Sequence, residues 1–182
     1  MSRLNSRNKA INTMALLVFS GGVLLALVIP NTVLSSWTAF RSFTNFMISA
    51  VPSIDHVASI SRFPDATRLF LAIMWATVPI QVMVFVLKPG GSFSVSHIKN
   101  KLLPITLLYL SLVPAIVLFA VFIFGSDFDS AGRGFYTRTM NIISNSRIAL
   151  GIVSSILILS VSFFISSMIL WIRNWPEIYF CR

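Results

Sequence analysis

Four long runs of apolar residues without a charged side chain constrain this sequence more than any other feature. They cover 11–34, 69–87, 102–124 and 149–172, and none contains Asp, Glu, Lys, Arg or His. An α-helix needs about 20 apolar residues to cross the hydrocarbon core of a bilayer. The sequence therefore predicts an all-α fold, an integral membrane four-helix bundle that forms a single domain.

Composition excludes the main alternatives. Of the 182 residues 56% are hydrophobic and 10% are charged, whereas a soluble domain is about one quarter charged and a disordered chain is more polar still. The single cysteine, Cys181, excludes an internal disulfide, and the two histidines lie in different loops. We therefore expect no metal site and no cofactor.

The basic residues predict the orientation of the bundle. If the N-terminus is cytoplasmic, every lysine falls in a cytoplasmic segment, and these short segments carry positive charge more densely than the external loops. Lys and Arg concentrate on the cytoplasmic side of membrane proteins. Both termini are therefore predicted to be cytoplasmic. The net charge of +9 is explained by contacts with lipid headgroups, so direct binding of nucleic acid is not expected.

The first external loop, 35–68, has a helical pattern of its own. Trp37, Phe40 and Met47 recur at helical spacing with polar residues between them. This pattern is typical of an amphipathic helix that lies on a membrane surface, and Pro52 should end it. We predict such a helix on the outer surface.

The second external loop, 125–148, allows a similar helix, in which Arg133 and Arg138 alternate with apolar side chains. Two interpretations of both external loops stay open. They could cover the outer end of the bundle, or they could contact something outside the cell, as exposed loops often do.

One cluster in these loops resembles a reactive site. His56 follows Asp55, and Asp65, Asp127 and Asp129 are predicted on the same side of the membrane. Adjacent residues do not orient an imidazole as a catalytic dyad requires, and no known catalytic motif accompanies them. We predict solvated polar side chains, no catalytic residue and no enzymatic activity.

Two prolines, Pro79 and Pro114, lie near the middle of the second and third runs, and Gln81 lies beside the first of them. A proline inside a helix removes one backbone hydrogen bond. The pattern predicts kinks, which could be static or could form a hinge with a small polar pocket.

Span four carries a stripe of small residues that share one helical face and allow close helix contact. They could pack within one bundle or form a seam between subunits. Gly21 and Gly22 lack side chains and offer a matching position for close approach on span one. We therefore expect a homo-oligomer. The stripe consists of Gly151, Ser155, Ser162 and Ser166.

Two short segments add a family resemblance. Pro52-Ser53-Ile54 and Ala131-Gly132-Arg133 are similar to tripeptides of the immunity proteins that neutralise pore-forming colicins. In size and architecture the chain also resembles the membrane subunit of the Kiwa-type anti-phage system. The resemblance implies a bacterial inner membrane and a protein partner, namely a toxin in the first case and a cytosolic effector in the second.

Together these features predict a non-enzymatic membrane protein that acts through protein association in defence against phage or a membrane-active toxin, as a sensor, an anchor or an immunity subunit. The expected partners are membrane lipid, further copies of the chain, and an effector or toxin. The alternatives are an oligomeric pore, with Ser154, Ser160 and Ser167 as lining residues, and an accessory subunit of a larger membrane complex.

Overall fold

A computed structural model describes residues 2–87, 141–179 and the isolated positions 110, 112, 113 and 116. Every regular element in this part of the chain is an α-helix, which confirms the all-helical prediction there. Residues 141–145 are also helical. The helices are α1 Ser2–Val28, α2 Val33–Ser36, α3 Thr38–Ala50, α4 Ser53–Ser59, α5 Pro64–Ala76, α6 Val78–Leu87 and α7 Arg147–Tyr179.

Two helical stretches, Pro64–Leu87 and Arg147–Leu170, are long and apolar enough to cross a membrane. The first contains the predicted run 69–87, and the second contains all but the last two residues of the predicted run 149–172. The apolar part of α1, Asn12–Val28, is shorter. Of the predicted third run, 102–124, only four positions belong to the described residues, and all four are helical.

Helix α1 ends before the first predicted run does. The run was expected to extend to residue 34, but the helix stops at Val28 and the chain re-forms a helix at Val33. Pro30 explains the difference, because it has no N–H to donate and it disfavours the helical conformation of the residue before it. The last residues of the predicted run therefore form the short helix α2.

Helices α5 and α6 form one stretch with a break at Thr77. Pro64 begins it at the first helical position, where a proline is well accepted. At the break the Thr77 amide reaches two carbonyls, those of Ile73 at 3.2 Å and Met74 at 3.1 Å. Pro79 has no N–H for the carbonyl of Trp75, so the helix is interrupted at the predicted place.

Helix α7 is the packing partner that the other long helices share. It packs most extensively against α1 and α6, and less extensively against α5. Ile158 on α7, Phe70 and Ala72 on α5, and Ile54 on α4 are completely buried in one continuous core. Helices α2, α3 and α4 pack on α5. They form a layer of short helices over one end of the α1, α5 and α7 core.

Candidate functional site

The amphipathic helix predicted in the first external loop exists as α3, from Thr38 to Ala50. One of its faces packs inward, where Thr44 is completely buried and Met47 contacts the core. Met47 was expected among the residues that contact something external. In the structure Met47 is half-buried, and its packing against the core anchors α3.

A second face of α3 is polar and exposed. At about 100° per residue its members fall within an arc of roughly 100°. We call this the polar face of α3; it consists of Arg41, Ser42, Asn45 and Ser49, all exposed.

A third face of α3 is apolar, although it does not face the core. Phe46 is 69% exposed, and it lies on the side of the helix opposite Thr44. The exposed Ala39 and Ala50 lie near it, whereas the half-buried Phe43 packs against the core. We call Phe46, Ala39 and Ala50 the outer apolar face. Because it is separate from the core face, α3 has two apolar surfaces and one polar surface.

Two aromatic side chains stand at the start of α3. Trp37 is 62% exposed and Phe40 is 40% exposed, and their ring centroids lie 5.8 Å apart. Both were predicted as external contact residues, and both are accessible. Exposed Trp residues of this kind are common where a protein meets lipid headgroups.

A charged cleft of about 440 Å³ lies between α2, α3, α4 and α5. Leu34 and Ile48 supply its apolar lining. Its polar lining comes from four separate segments of the chain. These side chains are Ser35, Arg41, Asn45, Asp55, Asp65 and Arg68.

Within the cleft, Arg68 organises the acidic side chains. Its Nη2 lies 2.8 Å from Asp55 Oδ1 and its Nη1 lies 3.9 Å from Asp65 Oδ1, while Nε donates to Asp55 at 2.9 Å. Two of the predicted external aspartates therefore converge on one arginine. His56 does not line this cleft, and Asp55 is engaged by Arg68 rather than by an imidazole.

Arg147, at the start of α7, joins the ends of two long helices. Its Nη1 donates to the carbonyl oxygens of Leu27 at 3.0 Å and Ile29 at 2.7 Å, and its Nη2 donates to Asn31 Oδ1. The guanidinium also lies 4.9 Å from the centre of the Phe63 ring. A cation that bonds the last carbonyls of a helix satisfies acceptors that have no partner within the helix.

The small-residue stripe of α7 lies inside the chain. Ser155 and Ser162 are completely buried and Ser166 is 2% exposed. A Cβ atom on Gly151 would meet Val23 Cα of α1 at 2.9 Å. Ser166 donates to the Ser162 carbonyl at 2.6 Å and approaches the Val82 carbonyl of α6 at 3.4 Å. Of the two interpretations of the stripe, the structure uses packing within one chain.

The glycine pair of α1 has two different environments. A Cβ atom added to Gly22 would overlap Ser155 Oγ, whereas one added to Gly21 would have no atom within 4 Å. Gly22 is therefore the residue that matches the stripe of α7, because its missing side chain allows the backbone of α1 to approach Ser155.

The break between α5 and α6 carries a small polar group. Thr77 Oγ1 donates to the Met74 carbonyl at 2.6 Å and accepts a hydrogen bond from Gln81 Nε2 at 2.8 Å. Gln81 is 2% exposed, and its Oε1 atom has no hydrogen-bond partner among the described residues. The predicted kink at Pro79 is thus lined by a threonine and a glutamine. Pro114, its predicted counterpart, lies outside the described residues.

Some predicted residues lie outside the part of the chain that the structure describes, namely Arg133, Arg138, Asp127 and Asp129. Within the described part, no group of three or more His, Cys, Asp or Glu side chains could hold a metal ion. Comparison of the chain with protein-family models, with curated proteins and with solved structures gave no match.

The sequence pattern did not reveal three of these features: the cleft, the outer apolar face and the role of Arg147. The cleft is assembled from separate segments, so no local spacing indicates it. Phe46 falls outside the helical repeat of Trp37, Phe40 and Met47. A signal for Arg147 does exist, because a charged residue directly before an apolar run commonly lies at a helix terminus.

Proposed function

We propose that the chain is a bacterial inner-membrane protein with four spans and cytoplasmic termini, and that it acts by associating with another protein. Support for the membrane setting comes from the outward surface of its long helices. Large apolar side chains there are more than half exposed, which is favourable against lipid and costly in water. Examples are Leu17, Leu24, Ile80, Met83, Ile156 and Phe163.

Under this topology the layer formed by α2, α3 and α4 lies on the external side. The distribution of Lys and Arg supports that orientation, and the aromatic residues Trp37 and Phe40 suit the headgroup level. The polar face of α3 then points to water and the outer apolar face points to the membrane. Helix α3 would thus be an interfacial helix attached to the bundle through its core face.

The orientation is tested by fusing reporters of cytoplasmic or external location to two places. We expect fusions after Arg182 and within residues 90–96 to report the cytoplasm, while a fusion at residue 60 reports the outside. An external signal at either of the first two sites would contradict the proposed topology.

The proposal of association depends on which charged side chains are used inside the fold. Arg147 holds two helix ends together, and Arg68 joins α5 to Asp55 of α4. Arg147 and Arg68 thus hold helices together within the chain, whereas the polar face of α3 stays exposed as a surface for a partner. The resemblance to self-protection proteins suggests a toxin or an effector as that partner, and defence as the setting.

Site-specific photo-crosslinking in living cells tests this association. A photoreactive residue at Ser42 or Ser49 lies on the exposed polar face, whereas one at Ile156 lies on the outward surface of a predicted span and serves as the control. We expect one discrete adduct of constant mass from the polar face and none from Ile156. A chain that is monomeric in mild detergent and forms no adduct would contradict association.

The structure weakens the alternative of an oligomeric pore lined by serines of span four. Ser154 is 7% exposed and Ser167 is 2% exposed, so neither is accessible to an axis between copies of the chain. Ser160 is exposed, but its hydroxyl donates to the Ile156 carbonyl at 2.8 Å. Solute flux in proteoliposomes separates the two functions, because only a pore would produce it.

A further inference from the structure

The charged cleft has the dimensions and the chemistry of a ligand site. Its volume of about 440 Å³ falls within the usual range for small-molecule pockets, roughly 300 to 1,000 Å³. The two acids and two arginines that line it have opposite charges that cancel. A ligand with a large net charge of either sign would therefore gain little there.

Arg41 supplies the anion-binding part of the cleft. Its Nε atom donates to the Leu34 carbonyl at 3.0 Å, which fixes the orientation of the guanidinium. The ion pairs among the described residues both belong to Arg68, so Arg41 has no carboxylate partner there. Asn45 follows one helical turn later and lines the same cleft. A guanidinium beside an amide binds a phosphate or carboxylate well.

Asp65 and Asp55 supply the cation-binding part. Asp65 Oδ1 lies 3.9 Å from Arg68, too far for a hydrogen bond. The Asp55 contacts with Arg68 both use Oδ1. Oxygen lone pairs on both carboxylates thus have no protein donor among the described residues. A primary ammonium group, with three N–H donors, matches such acceptors.

We propose that the cleft binds a zwitterion of the phosphoethanolamine type, with its phosphate on Arg41 and Asn45 and its ammonium on Asp65 and Asp55. The exposed Trp37, one turn before Arg41, is an aromatic residue typical of the headgroup level. The same chemistry is present in a phosphatidylethanolamine headgroup and in a free phosphoethanolamine ester.

Calorimetric titration of the full chain in detergent tests the proposal with three soluble probes. Glycerophosphoethanolamine carries both groups, glycerophosphocholine has a trimethylated nitrogen without N–H donors, and glycerophosphoglycerol has no cation. We expect the ethanolamine ester to bind at least about tenfold more tightly than the other two. Equal affinities, or no binding of the ethanolamine ester at millimolar concentration, would overturn the proposal.

Substitutions in the cleft identify the side chains that bind the ethanolamine ester. Arg41→Gln should weaken binding of the ethanolamine ester by about tenfold or more, and Asp65→Asn should abolish the preference over the choline ester. The matched control is Arg62→Gln, because Arg62 is exposed in the segment between α4 and α5 and does not line the cleft. If Arg41→Gln does not fold, Arg41→Lys, which keeps the charge, is the replacement variant. Unchanged binding in both cleft variants would refute the assignment.

A second measurement separates the two sources of the ligand. In nanodiscs that contain equal amounts of phosphatidylethanolamine and phosphatidylcholine, native mass spectrometry reports which lipid remains bound. Selective retention of phosphatidylethanolamine, lost in Arg41→Gln, identifies a lipid, whereas retention of neither lipid together with soluble binding identifies a free ester. These measurements require neither the proposed orientation nor a protein partner, so they can succeed or fail independently of the proposed function.

Discussion

The contact between Gly22 of α1 and Ser155 of α7 allows a sharp test of the packing. Gly22→Ala adds one methyl group that overlaps Ser155 Oγ. Gly21→Ala is the matched control, since it is the same substitution in the same helix and its methyl group meets no atom within 4 Å. Both changes raise intrinsic helix propensity by a similar amount, up to about 1 kcal/mol. The difference between the two variants therefore measures the contact alone.

The size of the expected destabilisation depends on which atoms must move to accommodate the new methyl group. Met74 Cε would lie 3.3 Å from the new Cβ, and this flexible side chain can shift. Ser155 is completely buried, so either its hydroxyl must rotate within packed surroundings or α1 and α7 must separate to relieve the overlap. Overpacking of this kind costs about 1–3 kcal/mol. We expect Gly22→Ala to have a lower free energy of unfolding than Gly21→Ala by that amount.

Equilibrium unfolding in mixed micelles, followed by far-ultraviolet circular dichroism, measures this difference. Adding Ser155→Ala removes the overlapping oxygen, and it should recover most of the loss, with a coupling of about 1–2 kcal/mol in the double-mutant cycle. Ser155→Ala alone should cost little, because its hydroxyl has no hydrogen-bond partner among the described residues. Equal stabilities of the two glycine variants, or no recovery in the double variant, would refute the close contact.

Three further predictions concern polar and exposed groups. Arg147→Gln should lower the free energy of unfolding by about 1–3 kcal/mol, because the α1 carbonyls lose charged donors, while Arg62→Gln should leave it within about 0.5 kcal/mol in the same assay. Thr77→Val should lower the free energy of unfolding by roughly 0.5–2 kcal/mol, because it removes the acceptor of the buried Gln81 amide, whereas Gln81→Leu should be neutral or stabilising. A Thr77→Val variant that is more stable than Gln81→Leu would contradict the hydrogen bond. With the protein in bilayers, a fluorophore at Phe46 should be quenched by brominated acyl chains, and emission typical of water would contradict the interfacial placement of α3.

Much of the helical architecture follows from the sequence. The runs 69–87 and 149–172 exclude charge over a membrane-length stretch, and both lie within helices long enough to cross a membrane. The spacing of Trp37, Phe40 and Met47 predicted α3, and Pro52 follows its end. These features depend on local composition and periodicity, which a single sequence contains in full.

Features made by distant residues were not predictable in this way. Arg147 bonds the Leu27 carbonyl, which lies 120 positions earlier in the chain, and no spacing rule connects the two. The small-residue stripe indicated a close contact but not its partner, since Gly22 of the same chain and a second subunit satisfy the same pattern. Phe46 shows a further limit, because a helix with two apolar faces does not reveal which face is buried.

The contact of Arg147 with the end of α1 also bears on how the protein is made. Helix α1 is synthesised before α7, so the Arg147 donor for the Leu27 carbonyl near its end arrives only with the first residue of α7. Until then this acceptor must be satisfied by water or, in the proposed membrane setting, by lipid headgroups. A chain that ends before α7 therefore exposes the end of α1 without its Arg147 donor and the backbone around Gly22 without the contact with Ser155. Docking of α7 is thus the step that completes the packing of α1.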